Sequence, residues 1–131
     1  MARDRTGEAR NWYTQARSEF RDALDLEQRG RYYLALYLYQ QAAEKALKAF
    51  LFDAGEDELF THSVKDLLGL AVSIDPLMGE LKPSGKLDMY YIPTRYPNGL
   101  AGNVPAEFFN DPEECEMVRQ LSRTVVDAVA E

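Results

Sequence analysis

The polar side chains best placed to do chemistry together lie in residues 32–52, a stretch rich in helix-forming residues. Gln41, Glu44, Lys45 and Lys48 are related by spacings of three (41 to 44, 45 to 48) and four (41 to 45, 44 to 48), so on a helix they share one side. Two neighbouring lysines could bind a phosphate or another anion, with the amide of Gln41 beside them. The alternative is a solvated helix face with charge pairs between successive turns, which is what most charged helix stripes are.

A second group with chemical potential lies in a run that reads YYIPTRYPNG and contains Tyr91, Arg95, Tyr96 and Asn98. Such a set offers a guanidinium for phosphate, aromatic rings for a base and an amide for the base edge. Structural roles are the alternatives. Arg95 could fix the loop by bonding to helix carbonyls or to Asp88, and the tyrosines could be core or dimer-interface rings.

The only histidine, His62, precedes a predicted helix that begins near Ser63. His62 is a candidate ligand-binding residue, and its alternative role is to cap that helix. The only cysteine, Cys115, falls in an apolar helical stripe and is expected in the core. One cysteine and one histidine cannot assemble the usual nitrogen and sulfur metal site. The single cysteine also excludes an internal disulfide. We expect no metal and no cofactor, with a metal bound by carboxylates as the open alternative.

Two predicted helices must position the polar residues of the central stretch, Gln41, Glu44, Lys45 and Lys48. Apolar residues recur at helical spacing from Asn11 to Gly30, and the first nine residues, which lack periodicity, are expected to be frayed. The stretch Tyr32–Phe52 contains no Gly or Pro and is predicted to be the central helix, covered on several sides. Because only Gly30 and Arg31 separate the two helices, we predict an antiparallel hairpin.

The later elements are shorter. A third helix is predicted from Ser63 to Ile74, with its apolar residues, Ile74 included, facing inward. Residues 76–86 contain two prolines and two glycines and predict a loop or a broken short helix, followed by one or two helical turns over 86–91. A long loop over 100–110 then leads to a last helix that begins with Asp111 as its N-cap.

Composition predicts one domain over residues 1–131, because 131 residues with 46% hydrophobic content can bury a single core. The helical periodicity predicts an all-α class, a four- or five-helix up-and-down bundle. The net charge of −7 argues against broad binding of nucleic acid. The polar start of the sequence and the absence of a long apolar run predict a cytoplasmic protein without membrane contact.

The charge is unevenly distributed. Residues 1–50 carry nine Lys/Arg and seven Asp/Glu, whereas residues 51–131 carry six and fifteen. A local anion site would therefore draw on the first part or on isolated cations of the second, such as Arg95. The start of the central helix adds Tyr32, Tyr33, Tyr37 and Tyr39 in different directions, which one bundle can hardly bury, so we expect a symmetric dimer.

Four landmarks occur in an order that resembles a known family. They are GRYY at 30–33, QQAAEKALKA at 40–49, THS at 61–63 and YIPTRYP at 91–97. Together they resemble the HEPN family, the higher eukaryote and prokaryote nucleotide-binding domain, from about Trp12 to Val129. The resemblance implies a helical bundle that usually dimerises and is often encoded beside a small nucleotidyltransferase. In that setting the HEPN protein is described as a substrate- or nucleotide-binding partner subunit.

Some HEPN proteins are metal-independent ribonucleases in which an arginine is followed four to six residues later by a histidine. In this chain no histidine follows Arg95, so the group that would exchange protons near neutral pH is missing. We therefore expect a non-enzymatic protein. The alternatives are a divergent ribonuclease or toxin that uses Arg95 with His62, and a pure protein-interaction module.

The leading hypothesis is a dimer that binds a nucleotide or a nucleotide-like anion, or that presents a substrate to a nucleotidyltransferase partner. Arg95 and the two lysines would contact phosphate, while tyrosines and an amide would shape the base pocket. This hypothesis requires the central helix and the proline-bracketed segment to lie together. The full set of candidate ligand-binding residues is Gln41, Lys45, Lys48, His62, Tyr91, Arg95, Tyr96 and Asn98.

Overall fold

Six helices make up most of the chain that the structure, a computed structural model, describes, namely residues 5–96 and 104–130. In order they are α1 (Arg5–Gln28), α2 (Tyr32–Asp53), α3 (Val64–Ile74), a 3₁₀ helix (Pro76–Tyr90), α4 (Pro105–Phe108) and α5 (Pro112–Val129). No strand occurs in these ranges, and the predicted all-α class is confirmed. None of the described helices is both long and apolar enough to cross a membrane.

Helices α1 and α2 form the predicted antiparallel hairpin. Gly30 turns the chain with a φ of +76°, a conformation that glycine adopts without the steric cost of a side chain. Trp12 stacks on Phe52 at 5.7 Å, and the ring of Phe20 meets that of Tyr39 edge-on at 5.3 Å. Helix α1 begins at Arg5, earlier than the predicted start at Asn11.

Helix α2 is central and buried along most of its length, as its sequence predicts. The Tyr39 hydroxyl donates to Glu27 of α1 at 2.6 Å, and Arg119 of α5 donates to the other Glu27 oxygen at 2.8 Å. The Ser122 hydroxyl donates to the Tyr39 carbonyl at 2.7 Å. These bonds join α1, α2 and α5 around one hydrophobic core.

The segment after α3 departs from its prediction. Instead of a loop or a broken short helix, residues 76–90 form a continuous 3₁₀ helix that contains Pro83. Asp75 caps its start by accepting from the Leu77 N–H at 3.1 Å, and Ser84 ties it to α5 through the Leu121 carbonyl at 2.9 Å. Ile74 at the end of α3 is exposed, so its predicted inward position was wrong.

The predicted long loop before the last helix contains one helical turn, α4. Phe109, directly after it, packs edge-on against Tyr90 at 6.0 Å. The Tyr90 hydroxyl donates to Glu114 at 2.9 Å, and burial raises the pKa of this tyrosine. Asp111 caps α5 by accepting from the Glu113 N–H at 2.9 Å, which confirms the predicted helix start.

Candidate functional site

The side of α2 that carries the predicted polar stripe faces the interior of the bundle. Gln41, Glu44 and Lys48 are buried, with only 2% of Glu44 and 5% of Lys48 exposed, and Lys45 is largely buried. The interpretation of this stripe as a solvated helix face was therefore wrong. Since a charge removed from water costs free energy unless it is paired, each of these groups requires a partner inside the protein.

Glu44 is the centre of the buried polar groups. Its Oε2 accepts from Lys48 Nζ at 3.1 Å and lies 3.3 Å from His62 Nδ1. Its Oε1 accepts from the side-chain amides of Gln41 at 3.3 Å and Gln40 at 3.4 Å. Both carboxylate oxygens are satisfied, and the Lys48 ammonium balances the charge of Glu44.

Lys45 links α2 to α1. Its ammonium donates to both oxygens of Glu19, at 2.8 Å to Oε2, and to Gln41 Oε1 at 3.1 Å. The Lys48 ammonium lies 5.4 Å from the centre of the Trp12 ring, and this cation–π contact also joins α2 to α1. These interactions define what we call the α2 polar network: Glu19, Gln40, Gln41, Glu44, Lys45 and Lys48.

His62 lies in the short segment before α3, with 55% of its side chain exposed. The cap of α3 is Ser63, whose hydroxyl accepts from the Asp66 N–H at 3.0 Å, so the imidazole does not fill that role. The His62 ring instead stacks on Tyr91 at 4.9 Å with 16° between the ring planes. Its carbonyl accepts from Gln40 at 3.1 Å, which ties the segment to α2.

The guanidinium of Arg95 lies among three tyrosine rings. Its Cζ is 4.5 Å from the ring centre of Tyr91, 4.7 Å from Tyr37 and 4.9 Å from Tyr96. Arg95 Nε donates to the Tyr91 carbonyl at 3.0 Å, whereas the carboxylate of Asp88, the other predicted partner, bonds to the start of α3. Within residues 5–96 and 104–130, no carboxylate forms an ion pair with Arg95. We call Arg95 and these three tyrosines the arginine–tyrosine cluster.

Tyr37 is a member of this cluster that the sequence pattern indicated only as one of four tyrosines expected to favour a dimer. Burial raises the pKa of Tyr37, and the positive charge of Arg95 acts in the opposite direction. The spacing contained a signal, because Tyr37, Gln41 and Glu44 follow at steps of four and three and share a helix face. Tyr96, the outermost ring, is 48% exposed.

The structure brings most of the predicted site residues together, but in two groups. Gln41, Lys45 and Lys48 belong to the α2 polar network, while Tyr91, Arg95 and Tyr96 belong to the arginine–tyrosine cluster. His62 joins the two groups, because its ring contacts Glu44 on one side and Tyr91 on the other. The contact between Arg95 and Tyr37 shows that the two segments meet as predicted. Asn98 lies outside the described residues.

Other features of the described chain lie apart from these groups. A cavity of about 660 Å³ is lined by residues that include Tyr13, Phe50 and Val129 and by no member of the cluster. Cys115 is fully buried, and burial raises the pKa of its thiol to about 12, so the thiol is protonated at neutral pH. In the described ranges, no three His, Cys, Asp or Glu side chains are placed to hold a metal ion.

Comparisons with known proteins identify relatives. A family model described as the HEPN domain matches residues 9–131. The chain is similar to the crystal structure of TT1696 from Thermus thermophilus, with a TM-score of 0.82 and 34% identity over 93% of this chain and 95% of that chain. It is also similar to ST0689, described as an archaeal HEPN homologue, with a TM-score of 0.75 and 26% identity over 99% and 97% of the two chains. No curated protein matches.

Proposed function

The chain belongs to the HEPN family, and we propose that it is a non-catalytic protein that binds a nucleotide or a similar phosphate-bearing anion at the arginine–tyrosine cluster. The observation that carries this proposal is the environment of Arg95. Its guanidinium contacts three aromatic rings and one carbonyl, and no described carboxylate neutralises it. The sequence from 97 to 103, PNGLAGN, contains no acid either.

An arginine in such a setting is suited to phosphate. The guanidinium presents several N–H donors in a planar fork, and aromatic rings hold that fork in place without cancelling its charge. The ring of Tyr96 is half exposed beside Arg95 and offers a face on which a base could stack. We therefore propose that Arg95 contacts the phosphate and that Tyr96 contacts the base.

The buried lysines, Lys45 and Lys48, are less suited to contacting phosphate than their positions in the sequence indicated. Lys45 is paired with Glu19, and Lys48 with Glu44. To bind a phosphate, either lysine would have to leave its carboxylate, and the abandoned acid would remain in a buried position. We propose instead that the lysines hold the bundle together and that His62 supplies the second contact to the anion.

His62 supports this assignment by its orientation. Because its Nδ1 faces Glu44, Nε2 is the ring nitrogen that remains to meet a ligand. A protonated imidazole can donate from Nδ1 to Glu44 and from Nε2 to a phosphate oxygen at the same time.

Calorimetric titration with ATP, GTP and tripolyphosphate tests the proposal, since tripolyphosphate carries the phosphates without a base. Arg95→Gln should weaken binding of ATP about tenfold or more, because a hydrogen bond to a charged group is lost. The matched control is Arg31→Gln. Arg31 also lies over a tyrosine ring, 5.3 Å from the centre of Tyr33, but belongs to the α1–α2 turn. Equal binding by wild type and Arg95→Gln would remove the proposed site.

A ribonuclease or toxin is the second candidate, and one observation favours it. His62 and Arg95 contact the same ring, that of Tyr91, although 33 positions separate them in the sequence. An imidazole and a guanidinium near one phosphate are a pair suited to acid–base cleavage of RNA. Incubation of RNA with wild type, His62→Ala and Arg95→Gln distinguishes the two functions, because only an enzyme produces cleavage that both substitutions abolish.

For the assembly we propose a homodimer that can also serve a nucleotidyltransferase as its partner. Two large apolar side chains next to the cluster in the sequence, Met89 and Ile92, are exposed, and so is Tyr96 of the cluster itself. Apolar surface of this kind favours association. Light scattering on the purified protein should give twice the mass of one chain, and a monomer would contradict the proposal. Co-purification with a nucleotidyltransferase tests the partnership separately.

A further inference from the structure

Asp88, in the last turn of the 3₁₀ helix, uses its carboxylate to hold the start of α3. Its Oδ1 accepts from the Val64 N–H at 2.6 Å, and its Oδ2 accepts from the Ser63 hydroxyl at 2.7 Å and the Lys65 N–H at 3.2 Å. An anion at a helix N-terminus interacts favourably with the unpaired N–H groups and the helix dipole. Asp88 therefore acts as a cap from a distant part of the sequence, in addition to the local cap Ser63.

Both partners of the His62–Tyr91 stack are adjacent to this junction. On the α3 side, His62 directly precedes Ser63, which Asp88 holds. On the other side, Tyr91 follows three residues after Asp88 and donates its N–H to the Asp88 carbonyl at 3.3 Å. The carboxylate of Asp88 thus joins the two backbone segments that carry the stacked rings.

The link continues to Arg95 through consecutive bonds. The Thr94 hydroxyl donates to the Tyr90 carbonyl, and Arg95 Nε donates to the Tyr91 carbonyl at 3.0 Å. Because these bonds each join residues four apart, the segment from Asp88 to Arg95 forms a connected series of turns. A displacement at Asp88 would move Tyr91 and Arg95 together relative to His62.

We infer that Asp88 is a positioning residue, which sets the stacking of His62 on Tyr91 and through it the orientation of the arginine–tyrosine cluster. Asp88 itself need not touch a ligand, since its two oxygens are already engaged by α3. The effect on the stack is independent of any ligand. Only the consequence for anion binding rests on the proposed function.

The single histidine of the sequence makes the stack directly measurable. A proton above an aromatic ring is shielded, so in the folded, ligand-free protein the imidazole protons of His62 should resonate upfield of their positions in the urea-unfolded protein. Tyr91→Leu removes the ring and defines the unstacked shift. Asp88→Ala should move the His62 signals toward that shift.

Asp111→Ala is the matched control, because Asp111 is also a helix-capping aspartate but caps α5. It should lower thermal stability by a comparable amount and leave the His62 signals in place. Should Asp88→Ala not fold, Asp88→Asn carries the same test, since the amide retains only one acceptor oxygen. Asn should give a shift in the same direction as Ala. His62 signals that stay unchanged in a folded Asp88 variant would overturn the inference.

Calorimetry with ATP adds the second measurement. Asp88→Ala should weaken ATP binding about tenfold, by analogy with the loss caused by removing a residue that orients a metal ligand, while Asp111→Ala should not. If wild type binds no ATP, the proposed function fails and the NMR result still decides the role of Asp88. If ATP binds and Asp88→Ala changes the His62 shift without changing affinity, the site tolerates the displacement and the positioning role in binding is overturned.

Discussion

The α2 polar network and the arginine–tyrosine cluster are adjacent, but they differ in whether their positive charges are paired with carboxylates. In the network, Lys45 and Lys48 each meet a carboxylate within hydrogen-bond distance. In the cluster, Arg95 meets only rings and one carbonyl among the described residues. His62 lies between them and contacts both Glu44 and Tyr91.

The difference follows from burial. A charge inside a helical bundle must be paired, because an unpaired ion far from water costs several kcal/mol. The lysines that a regular helix places side by side are therefore used to hold α2 in position. Arg95 lies on an irregular, half-exposed segment, where cation–π contacts and partial hydration are sufficient. A cation kept in this way retains its capacity to attract an anion.

Glu44→Gln should cause the largest loss, about 3 to 5 kcal/mol in the free energy of unfolding. The amide keeps the shape of the side chain but leaves the buried Lys48 ammonium without a counter-charge. Urea denaturation measures the loss. The control is Glu116→Gln, which removes an exposed glutamate 3.6 Å from Arg119 and should change stability by less than about 0.5 kcal/mol. Similar losses in both variants would mean that the network is not specifically stabilised by its buried pair.

The pair between α1 and α2 should contribute less. A double-mutant cycle with Lys45→Met and Glu19→Gln should give a coupling of about 2 kcal/mol, since both side chains are partly buried. Denaturation of the two single variants and the double variant supplies the cycle. A coupling near zero would mean that this pair contributes no more than an ordinary surface ion pair. The proposed difference between the paired lysines and the unpaired Arg95 would then be weaker.

Arg95→Gln should lower the free energy of unfolding by only about 1 kcal/mol, the scale of exposed cation–π contacts. The measurement is again urea denaturation, with Arg31→Gln as the matched arginine over a single ring. A loss as large as that of Glu44→Gln would show that Arg95 is a structural residue, and the proposed division between the two regions would fail.

The smallest expected effect is on the ionisation of Tyr37. Burial raises the pKa of Tyr37 and the Arg95 charge lowers it, so Arg95→Gln should raise this pKa further. Removing the cation withdraws more stabilisation from the phenolate than from the neutral phenol. NMR titration of carbon-labelled tyrosine, with Tyr37→Phe for assignment, measures the change. A pKa that falls in Arg95→Gln would contradict the charge environment described for the cluster.

Much of the helical framework could be predicted because its signals are local. The α1–α2 turn follows from Gly30, the start of α5 from Asp111 and Pro112, and the burial of α2 from its nearly continuous apolar surface. The meeting of α2 with the YIPTRYP segment was also predicted. These features depend on residue types and spacing within a few turns.

The remaining features depend on contacts between distant residues. Spacing showed that Lys48 and Glu44 could pair but not that their side of α2 faces the core. The sequence around Asp88 did not indicate that this residue caps α3, because its hydrogen-bond partners lie more than twenty positions away. The 3₁₀ helix contains Pro83 and two glycines, which locally favour a loop, and its bond to Leu121 of α5 is a tertiary contact. Tertiary context outweighed local preference in each case.

The short turn at Gly30 has a consequence for the order of folding. Closing a loop of few residues costs little chain entropy, so α1 and α2 can associate before distant segments are ordered. The contact of Tyr37 with Arg95 joins residues 58 positions apart, farther than the 40 positions between Trp12 and Phe52 in the hairpin, and should form later. Partial unfolding should then release the arginine–tyrosine cluster while the first hairpin remains intact, so that the proposed anion binding is lost before the helicity of the hairpin.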